Sequence, residues 1–115
     1  EANARSLVVV QIETAVAVEA APQIAAIEGV DVLFVGPLDL SVSLGCPGDF
    51  SPPHFVAALE KVVAACKSQG KTCGILSRPD FIAQHKQLGF QLMALGSDSG
   101  VVVQGLNETL KQIRE

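Results

Sequence analysis

The chain has 115 residues, a formal net charge of −4 and a hydrophobic content of 49%. This length fits one domain with a real core, and the hydrophobic content excludes intrinsic disorder. The eight Lys and Arg residues are scattered along the chain, which argues against nucleic acid as a partner. No apolar run approaches the length of about 20 residues that a membrane span needs, and no signal peptide opens the chain. We therefore expect no membrane partner.

The cysteine pattern predicts a reducing, cytoplasmic location. Cys46, Cys66 and Cys73 are odd in number and lack the spacing of a metal motif, so free thiols are expected. Cys66 lies on the apolar face of a predicted helix and Cys73 in a predicted strand. Both are expected to be core residues rather than nucleophiles.

The first half of the chain predicts two strand-then-helix units. Residues 6–10 are intensely apolar, and residues 6–13 predict a strand. Residues 15–28 are helical in pattern, with Pro22 expected in the first turn of a second short helix. Residues 30–36 predict the next strand, and the Gly- and Pro-rich segment 37–53 predicts a loop.

The second half repeats the alternation. A helix with a regular apolar face should end at Gly70. Residues 72–76 predict a strand, after which Ser77 is expected to cap a helix that ends at Gly89. Residues 91–95 predict the fourth strand. A last helix is expected to carry an apolar face over 102–113, and Asp98 is expected to cap it.

Alternating strands and helices predict an α/β fold with a parallel sheet and right-handed crossovers. Two architectures fit: a small open doubly wound sheet, or half of a (β/α)8 TIM barrel, whose full length is about 250 residues. The terminal runs 6–13 and 91–95 are as apolar as the inner strands and lack the charge, Pro or bulge that protects an edge. The sequence therefore favours a half-barrel that needs another half.

Two carboxylates follow neighbouring predicted strands. Glu13 comes after the first apolar run and Asp39 after the second, 26 positions apart, which suits one βαβ unit. Parallel strands lie about 4.8 Å apart, so carboxylates at their ends could share a divalent cation. Gly36 would let the backbone approach a ligand, and Pro37 would rigidify the turn. This pattern indicates a metal-assisted enzyme.

Four segments together resemble the HpcH/HpaI family of class II pyruvate-dependent aldolases. They are QIET (11–14), EGVDVLFVGPLDLSVSLG (28–45), GKTCGIL (70–76) and ALGSDSG (94–100). The resemblance implies that residues 1–115 are the C-terminal half of a single barrel domain, covering its strands five to eight. The missing N-terminal half of the barrel would be a required partner, and a homo-oligomer, commonly a hexamer, is implied as well.

The resemblance also implies roles for individual residues. Glu13 and Asp39 would be the two protein ligands of Mg²⁺, Mn²⁺ or Co²⁺, and Gln11 would hydrogen-bond near the metal and the reacting oxygen. Backbone amides of Leu38 and Asp39 would hold the pyruvate carboxylate, beside Gly36 and Pro37 in the same turn. Leu76 would contact the apolar side of the keto-acid substrate.

The implied reaction is cleavage of a 4-hydroxy-2-oxo acid to pyruvate and an aldehyde through a metal-stabilised pyruvate enolate. The family's enolate-stabilising Arg and its His–Asp proton-transfer pair belong to the first half of the barrel, which this chain lacks. Oxaloacetate decarboxylation, CoA-ester lyase activity of the citrate lyase type and a non-catalytic half-barrel remain alternatives. Pro37 and Leu38 stand where CoA-ester lyases tend to carry a further acidic residue, which counts against that alternative.

Several other polar residues are expected to have structural roles. His54 and His85 do not end strands and are expected at the surface or its boundary. Arg78 lies just beyond the third predicted strand and is expected to be solvated. Ser41 and Ser43 are expected to satisfy loop amides.

Overall fold

The computed structural model describes residues 6–95, in which strands and helices alternate. The strands are β1 (Val9–Ile12), β2 (Val32–Val35), β3 (Thr72–Ser77) and β4 (Leu92–Leu95). The helices are α1 (Ala15–Glu19), α2 (Ala21–Ala25), α3 (Pro37–Ser43), α4 (Pro53–Gln69) and α5 (Ile82–Leu88). The predicted last helix and its cap Asp98 lie outside the described residues.

The strands form one parallel sheet in the consecutive order β1-β2-β3-β4. A doubly wound sheet would require a reversal of strand order, and the described sheet has none. The prediction of a parallel α/β sheet is therefore confirmed. The register at the start of β2 is fixed partly by Asp31, which accepts a hydrogen bond from the Val8 amide through its carboxylate (2.9 Å).

The main core lies between the sheet and its helices. Alternate strand residues such as Ile12, Val35 and Ile75 are fully buried in the same apolar cluster as helical residues such as Leu59. Consecutive parallel strands joined by right-handed crossovers place their helices on the same side. The contacts of α4 with α1, α2 and α5 fit this one-sided layer.

The ends of the helices match the sequence prediction at three positions. Pro22 lies in the first turn of α2, where its missing amide costs no hydrogen bond. α4 ends at Gly70 and α5 at Gly89, both with positive φ. Between residues 6 and 95, no helix is both long and apolar enough to cross a membrane.

The segment 37–53 is not a continuous loop, as the sequence had suggested. Residues Pro37–Ser43 form α3, and the irregular segment begins only afterwards. Pro37 occupies the first turn of this helix, where its fixed φ is already helical, and Leu40 is fully buried. The glycines and prolines that suggested a loop all follow this short helix, apart from Pro37 itself.

A second row of side chains occupies the other face of the sheet. Strand pairing aligns Gln11 with Phe34, Phe34 with Gly74, and Gly74 with Leu92. The Phe34 ring lies over Gly74: a Cβ at this position would be 2.7 Å from Phe34 Cδ2 and 3.2 Å from Leu92 Cδ2. The absence of a side chain at Gly74 therefore makes room for the ring.

This packing predicts that Gly74→Ala destabilises the chain. The added methyl group must displace Phe34 or Leu92, and such overpacking costs about 1–3 kcal/mol. Gly29→Ala is the matched control because nothing lies within 4 Å of its added Cβ, so a change within about 0.5 kcal/mol is expected. Urea unfolding of both variants checks the difference. Equal destabilisation would contradict the proposed packing.

Candidate active site

Parallel strands place all their carboxyl ends at the same edge of the sheet. Glu13 follows β1 directly, Gly36 follows β2, and Leu76 is the second-to-last residue of β3. Ile12 pairs with Val35, so Glu13 and Gly36 are the next positions along neighbouring strands. This edge is therefore where the predicted site residues come together.

Glu13 and Gln11 extend over Gly36. A Cβ on Gly36 would be 3.1 Å from Glu13 Oε2 and 3.8 Å from Gln11 Nε2. Glu13 is half-buried and Gln11 is exposed. The missing side chain at Gly36 thus leaves a space in which a carboxylate oxygen and an amide group face the same point.

Asp39 lies in the first turn of α3 and is exposed. The amides of Leu38 and Asp39 are among the first amides of the helix, which have no acceptor within the helix. The side chain of Leu38 is 60% exposed, whereas Pro37 is buried. These positions leave backbone donors and a carboxylate at the same edge as Glu13.

A hydrogen bond joins the two segments that carry these carboxylates. Ser43 Oγ in α3 accepts from the amide of Ala15, two residues after Glu13, at 2.8 Å. Ser41 Oγ accepts from the Gly48 amide (2.9 Å) and donates to the Leu38 carbonyl (2.6 Å). Both serines therefore satisfy backbone groups, as predicted, although Ala15 belongs to a helix.

An open cleft of about 350 Å³ adjoins this edge. Its lining comes from the chain after β2, from Phe50 and from the end of β3. The lining residues are Pro37, Leu38, Phe50, Leu76, Ser77, Arg78 and Pro79. The cleft therefore includes Leu38 and Leu76, which were predicted from the sequence, and adds Phe50 and Arg78, which were not.

Ser77 and His85 form a buried pair that the sequence interpretation missed. Ser77 ends β3 rather than capping a helix, and α5 begins at Ile82 without a side-chain cap. Ser77 Oγ lies 2.7 Å from His85 Nδ1, and the two residues are only 1% and 3% exposed. The prediction that His85 lies at the surface or its boundary is therefore wrong. Its spacing of four residues from Phe81 could have indicated a buried helix face.

The remaining titratable residues of interest have structural positions. His54 is exposed, and its Nε2 lies 3.1 Å from the Leu44 carbonyl oxygen. Cys66 and Cys73 are free and buried, as predicted. The neighbouring Cys66 sulfur and burial raise the pKa of Cys73 far above its usual range, which disfavours a reactive thiolate.

The donor set at this edge fits a hard divalent cation. Carboxylate oxygens are the ligands that Mg²⁺ and Mn²⁺ prefer, and such ions usually keep positions for water or substrate. Gly36 leaves room beside the Glu13 carboxylate. In the part of the chain that is described, no three His, Cys, Asp or Glu side chains cluster as metal ligands. Glu13 and Asp39 alone would therefore be an incomplete coordination shell.

Comparison with known proteins identifies the family. Residues 1–105 match the family HpcH/HpaI aldolase/citrate lyase. The chain belongs to this family. A solved HpcH/HpaI aldolase/citrate lyase family protein from Burkholderia cenocepacia has the same fold over 99% of this chain and 45% of its own, with a TM-score of 0.78 and 36% identity.

Three relatives in sequence are aldolases by name. This chain is 56% identical to 4-hydroxy-4-methyl-2-oxoglutarate aldolase of Chaetomium globosum over 72 residues, which are 63% of this chain and 27% of the relative. It is 38% identical to hydroxypyruvate/pyruvate aldolase of Paraburkholderia phytofirmans over 98% of this chain and 44% of the relative. It is 37% identical to 5-keto-4-deoxy-D-glucarate aldolase of Salmonella arizonae over 97% and 45%. The chain thus spans less than half the length of each.

The burial of His85 predicts that the stability of the fold falls in mild acid. Desolvation lowers the pKa of His85 below its usual value of 6.5, so the unfolded chain binds the proton first as the pH falls. Stability is therefore unaffected well above pH 6.5 and declines below it, by at most about 1.4 kcal/mol per pH unit.

Urea unfolding between pH 7.5 and 5 measures this dependence. His85→Gln should be less stable at pH 7.5 but should lose its share of the acid dependence. The matched control His54→Gln alters an exposed histidine and should retain the dependence. Loss of the acid dependence in the control alone would contradict the assignment.

Proposed function

We propose that this chain contributes the metal-binding half of a divalent-cation-dependent aldolase. The reaction is cleavage of a 4-hydroxy-2-oxo acid to pyruvate and an aldehyde. The observation that carries the proposal is the placement of the Glu13 carboxylate over Gly36, with the Asp39 segment tied to it through Ser43 and Ala15. Family membership and the aldolase names of the relatives support it.

Each residue has a proposed task in this reaction. Glu13 and Asp39 hold a Mg²⁺, Mn²⁺ or Co²⁺ ion, and the amides of Leu38 and Asp39 bind the keto-acid carboxylate. Gln11 donates a hydrogen bond near the reacting oxygen, and Leu76 packs on the apolar part of the substrate. When bound, the cation would polarise the keto oxygen and offset the negative charge of the enolate.

The missing parts of the chemistry belong to a second half-barrel. The family resemblance locates the Arg and the His–Asp pair there. The two edge strands of the described sheet also support an incomplete barrel. β1 (VVQI) and β4 (LMAL) are apolar and lack the charges or prolines that protect sheet edges. Val8 and Val9 remain 44% and 39% exposed. A partner half would cover these edges, and a homo-oligomer would then form from complete barrels.

The substrate class can be narrowed through the relatives. Two of the three are named for the substrates 4-hydroxy-4-methyl-2-oxoglutarate and 5-keto-4-deoxy-D-glucarate, both of which are dicarboxylic acids. The third is named for hydroxypyruvate and pyruvate. An oxo acid that yields pyruvate is consistent with all three names.

The metal site is tested by Mn²⁺ binding with and without oxalate, a mimic of the pyruvate enolate. We expect oxalate to strengthen Mn²⁺ binding, and Glu13→Gln to abolish the effect because it removes a charged ligand. Gly36→Ala should weaken it about tenfold or more, since the methyl group crowds Glu13 Oε2 at 3.1 Å. Glu60→Gln, on the exposed side of α4, is the matched control. Unchanged binding in Glu13→Gln would refute this ligand assignment.

The half-barrel proposal is tested by complementation. The 115-residue chain should release no pyruvate from a 4-hydroxy-2-oxo acid, because the acid–base groups are elsewhere. Addition of the N-terminal half of a related barrel should restore pyruvate release, and Glu13→Gln should block this restoration. Turnover by the unsupplemented chain would overturn the half-barrel proposal.

A further inference from the structure

The cleft beside the proposed metal site is lined by one positively charged side chain, that of Arg78. Of the five Lys and Arg residues between positions 6 and 95, Arg78 alone directly follows the carboxyl end of a strand. It lines the cleft together with Leu38 and Leu76, which are proposed to contact substrate. The other described cations lie on α4, α5 or the segment before β3.

Two aromatic rings support the guanidinium group. Arg78 Cζ lies 5.1 Å from the centre of the Phe50 ring and 5.1 Å from the centre of the Phe81 ring. The two rings contact each other edge to face, with centres 5.7 Å apart. Because a guanidinium on aromatic faces keeps its N–H groups free at its edge, this support orients the group without using its donors.

The ion pair between Arg78 and Asp80 is weak. Its Nε lies 3.7 Å from Asp80 Oδ1, and both side chains are more than half exposed. That separation exceeds an ordinary hydrogen bond, and exposed ion pairs are weak. Within residues 6–95 the Arg78 side chain makes no hydrogen bond. The guanidinium donors are therefore available for a ligand, at a residue that lines the cleft.

We infer that Arg78 is a specificity residue that binds the distal carboxylate of a dicarboxylic oxo-acid substrate. This inference rests on the proposed function, because it assumes that the 2-oxo acid end is held at Glu13 and Asp39. β1 and β3 are two strand spacings apart, or about 10 Å. A substrate held at one end would thus cross the apolar surface of Leu38 and Leu76 before reaching Arg78.

Arginine suits this task better than a general positive charge would. Its guanidinium matches the two oxygens of a carboxylate with two parallel N–H groups. The chain itself has a net charge of −4, and Glu13, Asp39 and Asp80 are acidic residues of the same edge. A local cation is therefore needed for a second substrate carboxylate to bind there.

Binding of two ligands of equal length tests the inference. The whole protein in which this chain occurs is loaded with Mn²⁺ and titrated calorimetrically with 2-oxoglutarate and with 2-oxopentanoate, which lacks the distal carboxylate. Oxalate measures the metal–keto-acid end separately. The variants are Arg78→Met, Arg78→Lys and the charge-matched control Lys86→Met on exposed α5 surface.

We expect the parent protein to prefer 2-oxoglutarate by about tenfold or more, since one charge-assisted hydrogen bond supplies that much. Arg78→Met should remove most of this preference while oxalate affinity stays constant. Arg78→Lys should retain part of the preference, and Lys86→Met should retain all of it.

Three results would overturn the inference. With oxalate binding intact, the first is a parent protein without preference and the second is an unchanged preference in Arg78→Met. An equal loss in Lys86→Met would show a general charge effect. Absence of oxalate binding in the parent protein would instead refute the proposed function, and the role of Arg78 would be lost with it.

Discussion

The consecutive parallel register of the four strands is the constraint on which the rest of the molecule depends. Each return to the sheet requires a crossover, so every strand ends at the same edge. Glu13, Asp39 and Arg78 are far apart in sequence but follow neighbouring strands there. The same crossovers place the helices on one face and leave the row around Phe34 and Gly74 on the other. The candidate site and the unpaired edges of the described sheet at β1 and β4 are therefore consequences of one topology.

Small groups, rather than large ones, set the geometry at the site. Gly36 leaves space for the Glu13 carboxylate, and the Ser43 hydroxyl fixes α3 to the first amide of α1 at 2.8 Å. Neither contribution depends on charge, so the two acidic segments can be held in place before any cation binds. A site that is arranged in this way needs little rearrangement when a cation binds, so the free-energy cost of binding is smaller.

The sequence predicted the parallel sheet, three helix ends and the serine contacts, because local patterns determine these features. Apolar runs marked the strands, and Gly70 and Gly89 marked helix ends. It failed where a tertiary contact overrode the local signal. Ser77 looked like a cap, but its hydroxyl pairs with His85 on a helix that packs against β3. The cleft was missed because Phe50 and Arg78 meet only after the chain folds.

Contacts made by His85 of α5 join the lining of the cleft to the buried core. Phe81, which supports Arg78, stacks on His85 with ring centres 5.8 Å apart, and His85 in turn contacts Phe90. His85 also bonds to Ser77, the residue before Arg78. Any change that moves His85 therefore acts on the backbone before Arg78 and on the ring beneath its guanidinium. Glu13 and Gly36 directly follow β1 and β2 and take no part in these ring and hydrogen-bond contacts, so the two ends of the proposed substrate site can vary independently.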